Sequence, residues 1–218
     1  MLNPMAVQML TRATWETLYM VIVAVLIAQV LGLPLGILLT VTDKNHILEN
    51  GPFNKIIGTI VNIGRSIPFI ILMVAIIPFT RVLVGTSIGT TAAMVPLTVA
   101  AIPFVARLVE SAMKEVDPGV IEAAQAMGAS PGEIIWKVLI RESLPALVLG
   151  FTLTAVSLIG YSAMAGAVGG GGLGDLAIRF GYQRFRGDIM LQTVVILVVM
   201  VQVIQMLGDW GARRLNKR

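Results

Sequence analysis

The residues most able to do specific chemistry form one run: Asp117-Pro118-Gly-Val-Ile-Glu122-Ala123-Ala124-Gln-Ala-Met-Gly128-Ala129-Ser130-Pro131-Gly-Glu133. Asp117 suits a helix N-cap and Pro118 the first helical position. Gly128 suits the stop after the last turn. Ser130, Pro131 and Glu133 then read as a capping box that starts a second helix. The run therefore predicts two short helices joined at Gly128. Ala123 and Ala124 are small enough for another protein's backbone to come close. Glu122 offers a carboxylate to an Arg or Lys of that partner. This is docking chemistry and not bond-breaking chemistry. A self-contained helical cover over the end of a bundle fits the same residues.

A second constellation is Tyr161-Ser162-Ala163-Met164-Ala165-Gly166, in an apolar stretch. Met164 is a polarizable, flexible side chain among small neighbours. In a symmetric pair of chains, two such side chains could close a pore by excluding water. Close helix packing through the small residues is the alternative. Arg65 is expected to be the one charge inside a membrane span, about 15 Å along the helix from Lys55. Such a charge costs at least about 2.5–3.5 kcal/mol at mid-membrane on insertion scales. It would act as counter-charge to a substrate carboxylate, as an anchor at the bend before Pro68, or as a fixed bond to another helix, or it would snorkel to an interface.

Other chemistries lack their residues. There is no cysteine and only one histidine, His46, so thiolate chemistry and a multi-histidine metal site are excluded. His46 reads as a solvated loop residue. The glycine run 169–172 leads into Leu173-Gly174-Asp175, without the Lys-Ser/Thr that a phosphate loop requires. It reads as a flexible loop, and the chain is expected to bind no nucleotide and no cofactor itself. Intramembrane carboxylates are not expected, which counts against a proton-driven carrier.

These residues must be positioned by membrane helices. Of 218 residues, 56% are apolar and 13% charged, and mean hydropathy is +0.88. Too few polar side chains remain to coat a water-facing surface, so a soluble enzyme and a nucleic-acid module are both disfavoured. Five stretches are long enough to span a bilayer: 17–42, 56–80, 82–106, one within 143–174, and 189–208. Each is expected to be a helix. Pro34, Pro68, Pro78, Pro96, Pro103 and Pro145 fall within them and are expected to bend them. Five spans put the termini on opposite sides. The tail Arg213, Arg214, Lys217, Arg218 argues for a cytoplasmic C-terminus, and so for an outer N-terminus. That arrangement places ten Lys/Arg in cytoplasmic segments and five (Arg12, Arg81, Arg179, Arg184, Arg186) in outer ones. The long connection 107–142 is then cytoplasmic.

Glu122-Ala123-Ala124, three further residues and Gly128 resemble the "EAA" loop of binding-protein-dependent ABC importer permeases, and Leu144-Pro145 matches the end of that pattern. Where members often carry an earlier Leu-Pro, this chain has Ile140-Arg141. Arg65-Ser-Ile-Pro-Phe-Ile-Ile71, Ile77-Pro-Phe-Thr-Arg81, Val84-Gly-Thr-Ser-Ile-Gly89 and Gly160-Tyr-Ser-Ala-Met164 are similar to the methionine-importing branch of the family. The resemblance covers nearly the whole chain. It implies an all-α integral membrane protein of five transmembrane helices with the type I ABC importer permease fold. It implies a single permease domain over 1–218, core about 14–208, in the bacterial inner membrane. It further implies that Glu122, Ala123, Ala124, Gly128, Ala129 and Ser130 form the coupling loop, which docks on an ATPase subunit. The implied partners are two ATPase subunits, a second copy of this chain, an extracytoplasmic methionine-binding lipoprotein and membrane lipid, but no nucleic acid. Arg65, Tyr161, Ser162 and Met164 are the candidates for the substrate path or gate. A permease for another amino acid stays open as an alternative, as does a carrier or channel that works alone.

Overall fold

The computed structural model describes residues 4–216, so the last two tail charges, Lys217 and Arg218, lie outside the described residues. No strand occurs among those described. The helices, in order, are α1 (Pro4–Val41), α2 (Gly51–Ser66), α3 (Phe69–Ala75), α4 (Ile77–Val84), α5 (Thr90–Lys114), α6 (Pro118–Ala126), α7 (Pro131–Gly166), α8 (Gly172–Leu176, continued by a π-helical stretch Ala177–Tyr182) and α9 (Gly187–Leu215). Four of them, α1, α5, α7 and α9, are each long and apolar enough to cross a membrane. The pair α2–α3 passes the same test jointly but is bent by 99°.

The second expected span is therefore broken. The residue before a proline is pushed toward extended backbone, and Ile67 has φ −81°, ψ 122°. Pro68 then starts α3 without an N–H to continue the ladder of α2. A second break falls at Ile76, immediately before Ile77-Pro78. The third span also departs from expectation. It covers 90–114 instead of 82–106, because Gly85 and Gly89 take positive φ and end α4 before a new helix starts. Its last two turns thus carry Arg107, Glu110 and Lys114. The other prolines do not interrupt their helices: Pro34, Pro96, Pro103 and Pro145 all sit inside continuous ones.

The core forms where α1 crosses α5. Gly32 and Gly36 of α1 lie four apart, so they share a face, and a side-chain carbon at Gly32 would come 2.8 Å from Val105 of α5. Without a hydrophobic drive inside lipid, close backbone approach through small residues is what holds such helices together. Met20, Leu97, Val105, Val109, Leu139, Leu158 and Leu173 fill the interior. Helix α9 lies at the periphery, with Leu191, Val194, Val198 and Leu207 outward. At one end of the bundle the connection 42–50 meets the end of α5 and α6. At the other, Gly89 N–H donates to the Gly169 carbonyl and the 169–173 segment meets the start of α1.

Candidate functional site

The loop between α5 and α7 starts as its sequence dictates. Asp117 caps α6, accepting from the Gly119 N–H at 2.8 Å, and Pro118 is first in the helix. The stop is a double-bonded turn: Ala129 N–H reaches the Ala124 carbonyl and Gly128 N–H the Gln125 carbonyl. This pattern needs a left-handed residue at position 128, and Gly128 has φ 80°. Ser130 and Glu133 form the expected capping box. The helix they start is not short, however. It runs unbroken from Pro131 to Gly166, passing through a π-helical stretch at Ile134–Leu139. Only the turn at residues 127–130 thus separates α6 from a transmembrane helix, and Ala124 of α6 shares the core with Ile134 of that helix.

Exposure sorts the loop residues. Glu122, Ala123, Gly128 and Ser130 are exposed and Ala129 is half-buried. Ala124 is only 5% exposed and packs in the chain's own core. It is therefore closed to a partner's backbone, because α6 must turn one side toward its own bundle. Val120, Ala123 and Met127 recur at helical spacing on the outer side, with Met127 82% exposed. Trp136, on the first turns of α7, is 67% exposed. The exposure of Val120, Met127 and Trp136 has no signal in the sequence, because an apolar residue in an apolar chain gives no sign of which side it takes.

Behind α6 lies a cavity of about 440 Å³, lined by Asp43, Lys44, His46, Lys114, Glu122 and Gln125 among others. His46 is thus half-buried in the cavity wall and not simply solvated. Its Nδ1 accepts the Ile47 N–H at 3.0 Å, and burial pushes its pKa below the usual value. The hydrogen bond from Lys114 holds the Asp43 carboxyl below its ordinary range.

A row of charges extends from this cavity into the bundle. Lys114 Nζ lies 2.6 Å from Asp43 and 2.9 Å from Glu110. Glu110 also pairs with Arg107. Arg107 Nη2 donates to the Gly58 carbonyl at 3.2 Å and to Asn62 Oδ1 at 2.9 Å, both on α2. Charges inside the third span escaped sequence reasoning because that span was placed eight residues too early.

Three of the four path candidates are at least partly exposed and one is buried. Arg65 is exposed in the last turn of α2 and has no hydrogen bond or ion pair among the described residues. It stands at the break of the second span, not inside an unbroken one. Tyr161 stacks on Phe69. Met164 is 49% exposed. Ser162 points the other way. It is 2% exposed, and its hydroxyl donates to the Ile159 carbonyl, so it faces the core and not a path.

The glycine run is a fixed element, not a flexible loop. Gly170 and Gly172 are buried. The Gly172 N–H donates to Glu16 and the Leu173 N–H to Thr17, both on α1. A side-chain carbon at Gly166 would collide with Asp175 and Gly174, and one at Gly174 with Ala163. The chain folds α8 straight back onto the end of α7. No group of His, Cys, Asp and Glu able to hold a metal occurs among the described residues.

Residues 32–218 match the family described as binding-protein-dependent transport system inner membrane component. The chain belongs to this family. It is 58% identical to a probable D-methionine transport system permease protein of Vibrio cholerae, over 96% of this chain and 93% of that one. It is 50% identical to a protein of the same description from Pasteurella multocida, over the full length of both. A solved structure described as an inward-facing conformation of the MetNI methionine ABC transporter superposes with TM-score 0.97 at 50% identity, covering all of both chains. The all-helical architecture with a broken second span is the type I importer permease fold, and the protein is a multi-pass component of the bacterial inner membrane.

Proposed function

We propose that this chain is the membrane subunit through which an ATP-driven importer moves methionine inward. The observation that carries the reading is the full-length match, at 50% identity and TM-score 0.97, to a chain of a methionine ABC transporter. The names of the two bacterial relatives support the same substrate. The chain carries no nucleotide-binding motif, so hydrolysis belongs to a partner ATPase.

In this reading the whole chain is one permease domain, present in two copies with two ATPase subunits. The N-terminus is outside and the C-terminus cytoplasmic, which puts α6 and its cavity on the ATPase side. Glu122, Ala123 and the Gly128–Ser130 turn form the docking face, with Val120 and Met127 adding apolar contact. Closure of the ATPase pair moves α6. The bonded turn at Gly128 and Ala129 passes that movement into α7, whose far end carries Tyr161 and Met164. Two Met164 side chains, one per copy, close the path between the chains in the resting state. An extracytoplasmic methionine-binding lipoprotein delivers substrate at the opposite end, beside the fixed 169–176 segment.

The test is isolation from native membranes in mild detergent, followed by labelled-methionine uptake in proteoliposomes. The expected result is a stoichiometric ATPase, lost in Glu122→Arg and Gly128→Arg, together with ATP-dependent uptake. An intact chain that carries no ATPase and transports without ATP would overturn the reading.

A further inference from the structure

Within one chain, helix α2 packs through few apolar side chains. Only Gly58 and Val61 are buried along its 16 residues. Its apolar attachment is one small cluster, in which Val61 meets Leu39 and Ala106 with Leu35 and Ile57 at the edge. Such a helix would lag behind or fray when the bundle is pushed from one end. Yet it carries the Ile67-Pro68 break, beyond which Phe69 stacks on Tyr161.

Asn54 ties the start of α2 to the Leu39 carbonyl at 2.6 Å and to the Thr42 hydroxyl at 3.0 Å, and Arg107 fastens its middle. Its guanidinium clasps one turn of α2 at two points, the Gly58 carbonyl and Asn62 Oδ1. The clasp is the last member of a row of alternating sign: Asp43, Lys114, Glu110, Arg107. The row sums to zero charge, and its one buried member, Glu110, is compensated by Lys114 and Arg107 on either side, as a charge withdrawn from water requires. It begins at the wall of the cavity that Glu122 also lines. The 42–50 connection, the inner end of α5 and α2 are therefore joined by polar bonds at the place where α6 would be pushed.

We propose that Arg107 and Asn62 are positioning residues for transport: through the row Asp43–Lys114–Glu110–Arg107 they make α2 move as one body with the coupling loop. Arg107 acts on α2 and touches no substrate. A guanidinium is needed because it donates in two directions from one plane, which an ammonium cannot reproduce at the same reach. The inference rests on α6 being the site where the ATPase docks.

Asn62 gives the cleanest test, because it is exposed and its replacement leaves the core intact. The assembled complex in proteoliposomes is assayed for methionine taken up per ATP hydrolysed. Asn62→Ala should lower that ratio by about 5-fold or more, the low end of measured site-to-site coupling, with ATPase still co-purifying. Asn62→Asp keeps an acceptor for Arg107 and should restore the ratio. Arg107→Lys should behave like Asn62→Ala, and the double variant should be no worse than either single one. An unchanged ratio in Asn62→Ala, or fully additive losses in the double variant, would overturn the proposal. Failure of the docking reading is separately visible: Ala123→Arg would then leave the ATPase bound.

Discussion

Phe69 and Tyr161 stack nearly parallel, with ring centroids 4.7 Å apart and planes 5° from each other. The pair joins the first turn after the second-span break to the helix that carries Met164 one turn later. An aromatic pair of this kind is worth roughly 0.5–1.5 kcal/mol beyond simple burial. The Tyr161 hydroxyl has no hydrogen-bond partner among the described residues, so the ring and not the hydroxyl carries the contact. Tyr161→Phe should leave thermal stability and uptake unchanged. Tyr161→Ala should lower the unfolding midpoint in detergent and slow uptake. A Tyr161→Phe variant as impaired as Tyr161→Ala would show that the hydroxyl matters and the stack does not.

Met164 yields a second prediction. Its side chain is half exposed on a helix whose neighbouring Ser162 and Ala165 are buried, so it projects away from the chain's own core. Shortening it should open an apolar constriction between two copies, since such a barrier works by excluding water. Met164→Ala should raise substrate leakage, or ATP hydrolysis without substrate, while Met164→Leu should keep the path closed. Equal leakage in all three proteins would remove Met164 from the gate.

How much of this was legible before the fold was known depended on the range of each signal. The caps of α6 and α7 were readable because Asp117, Pro118, Gly128, Ser130 and Glu133 act within four residues of themselves. The five apolar stretches were readable because a bilayer imposes length and composition. The bend at Pro68 was foreseen as a kink, but its 99° size was not. The start of α5 was misplaced because hydropathy does not register the positive φ of Gly85 and Gly89. That one error concealed Arg107 and Glu110. The 169–172 glycines looked flexible because glycine favours both loose loops and very close packing. Only the backbone of α7 and the side chains of Glu16 and Thr17, far away in sequence, decide between the two.

Acid should weaken the loop that walls the α6 cavity. Burial lowers the His46 pKa from 6.5, so the folded protein binds fewer protons there than the unfolded chain. The resulting contribution is intact above the unfolded value and declines as pH falls through 6.5 toward the folded value. Asp43 acts in the same direction lower down, because its carboxyl is held below 3.8 by Lys114. The unfolding midpoint should therefore drop as pH falls below about 6.5, and His46→Gln should flatten that part of the curve, since histidine is the group titrating there. A His46→Gln profile parallel to the parent's would remove His46 from the account.

Ala123 and Ala124 are adjacent and chemically identical, and the fold gives them opposite environments. Ala124 faces the core beside Ile134, so a larger side chain there must displace packed atoms, at a typical cost of about 1–3 kcal/mol. Ala123 faces outward, between Val120 and Met127 in helical spacing, so the same change costs the isolated chain little. Ala124→Leu should lower the detergent unfolding midpoint. Ala123→Leu should leave that midpoint alone and yet reduce the amount of ATPase that co-purifies, because a docking face made of small side chains loses close backbone approach. The contrast between neighbours separates a docking surface from a mere cover over the bundle end. A cover would make Ala124→Leu harmful and Ala123→Leu silent in both measurements, which would return α6 to a purely structural role.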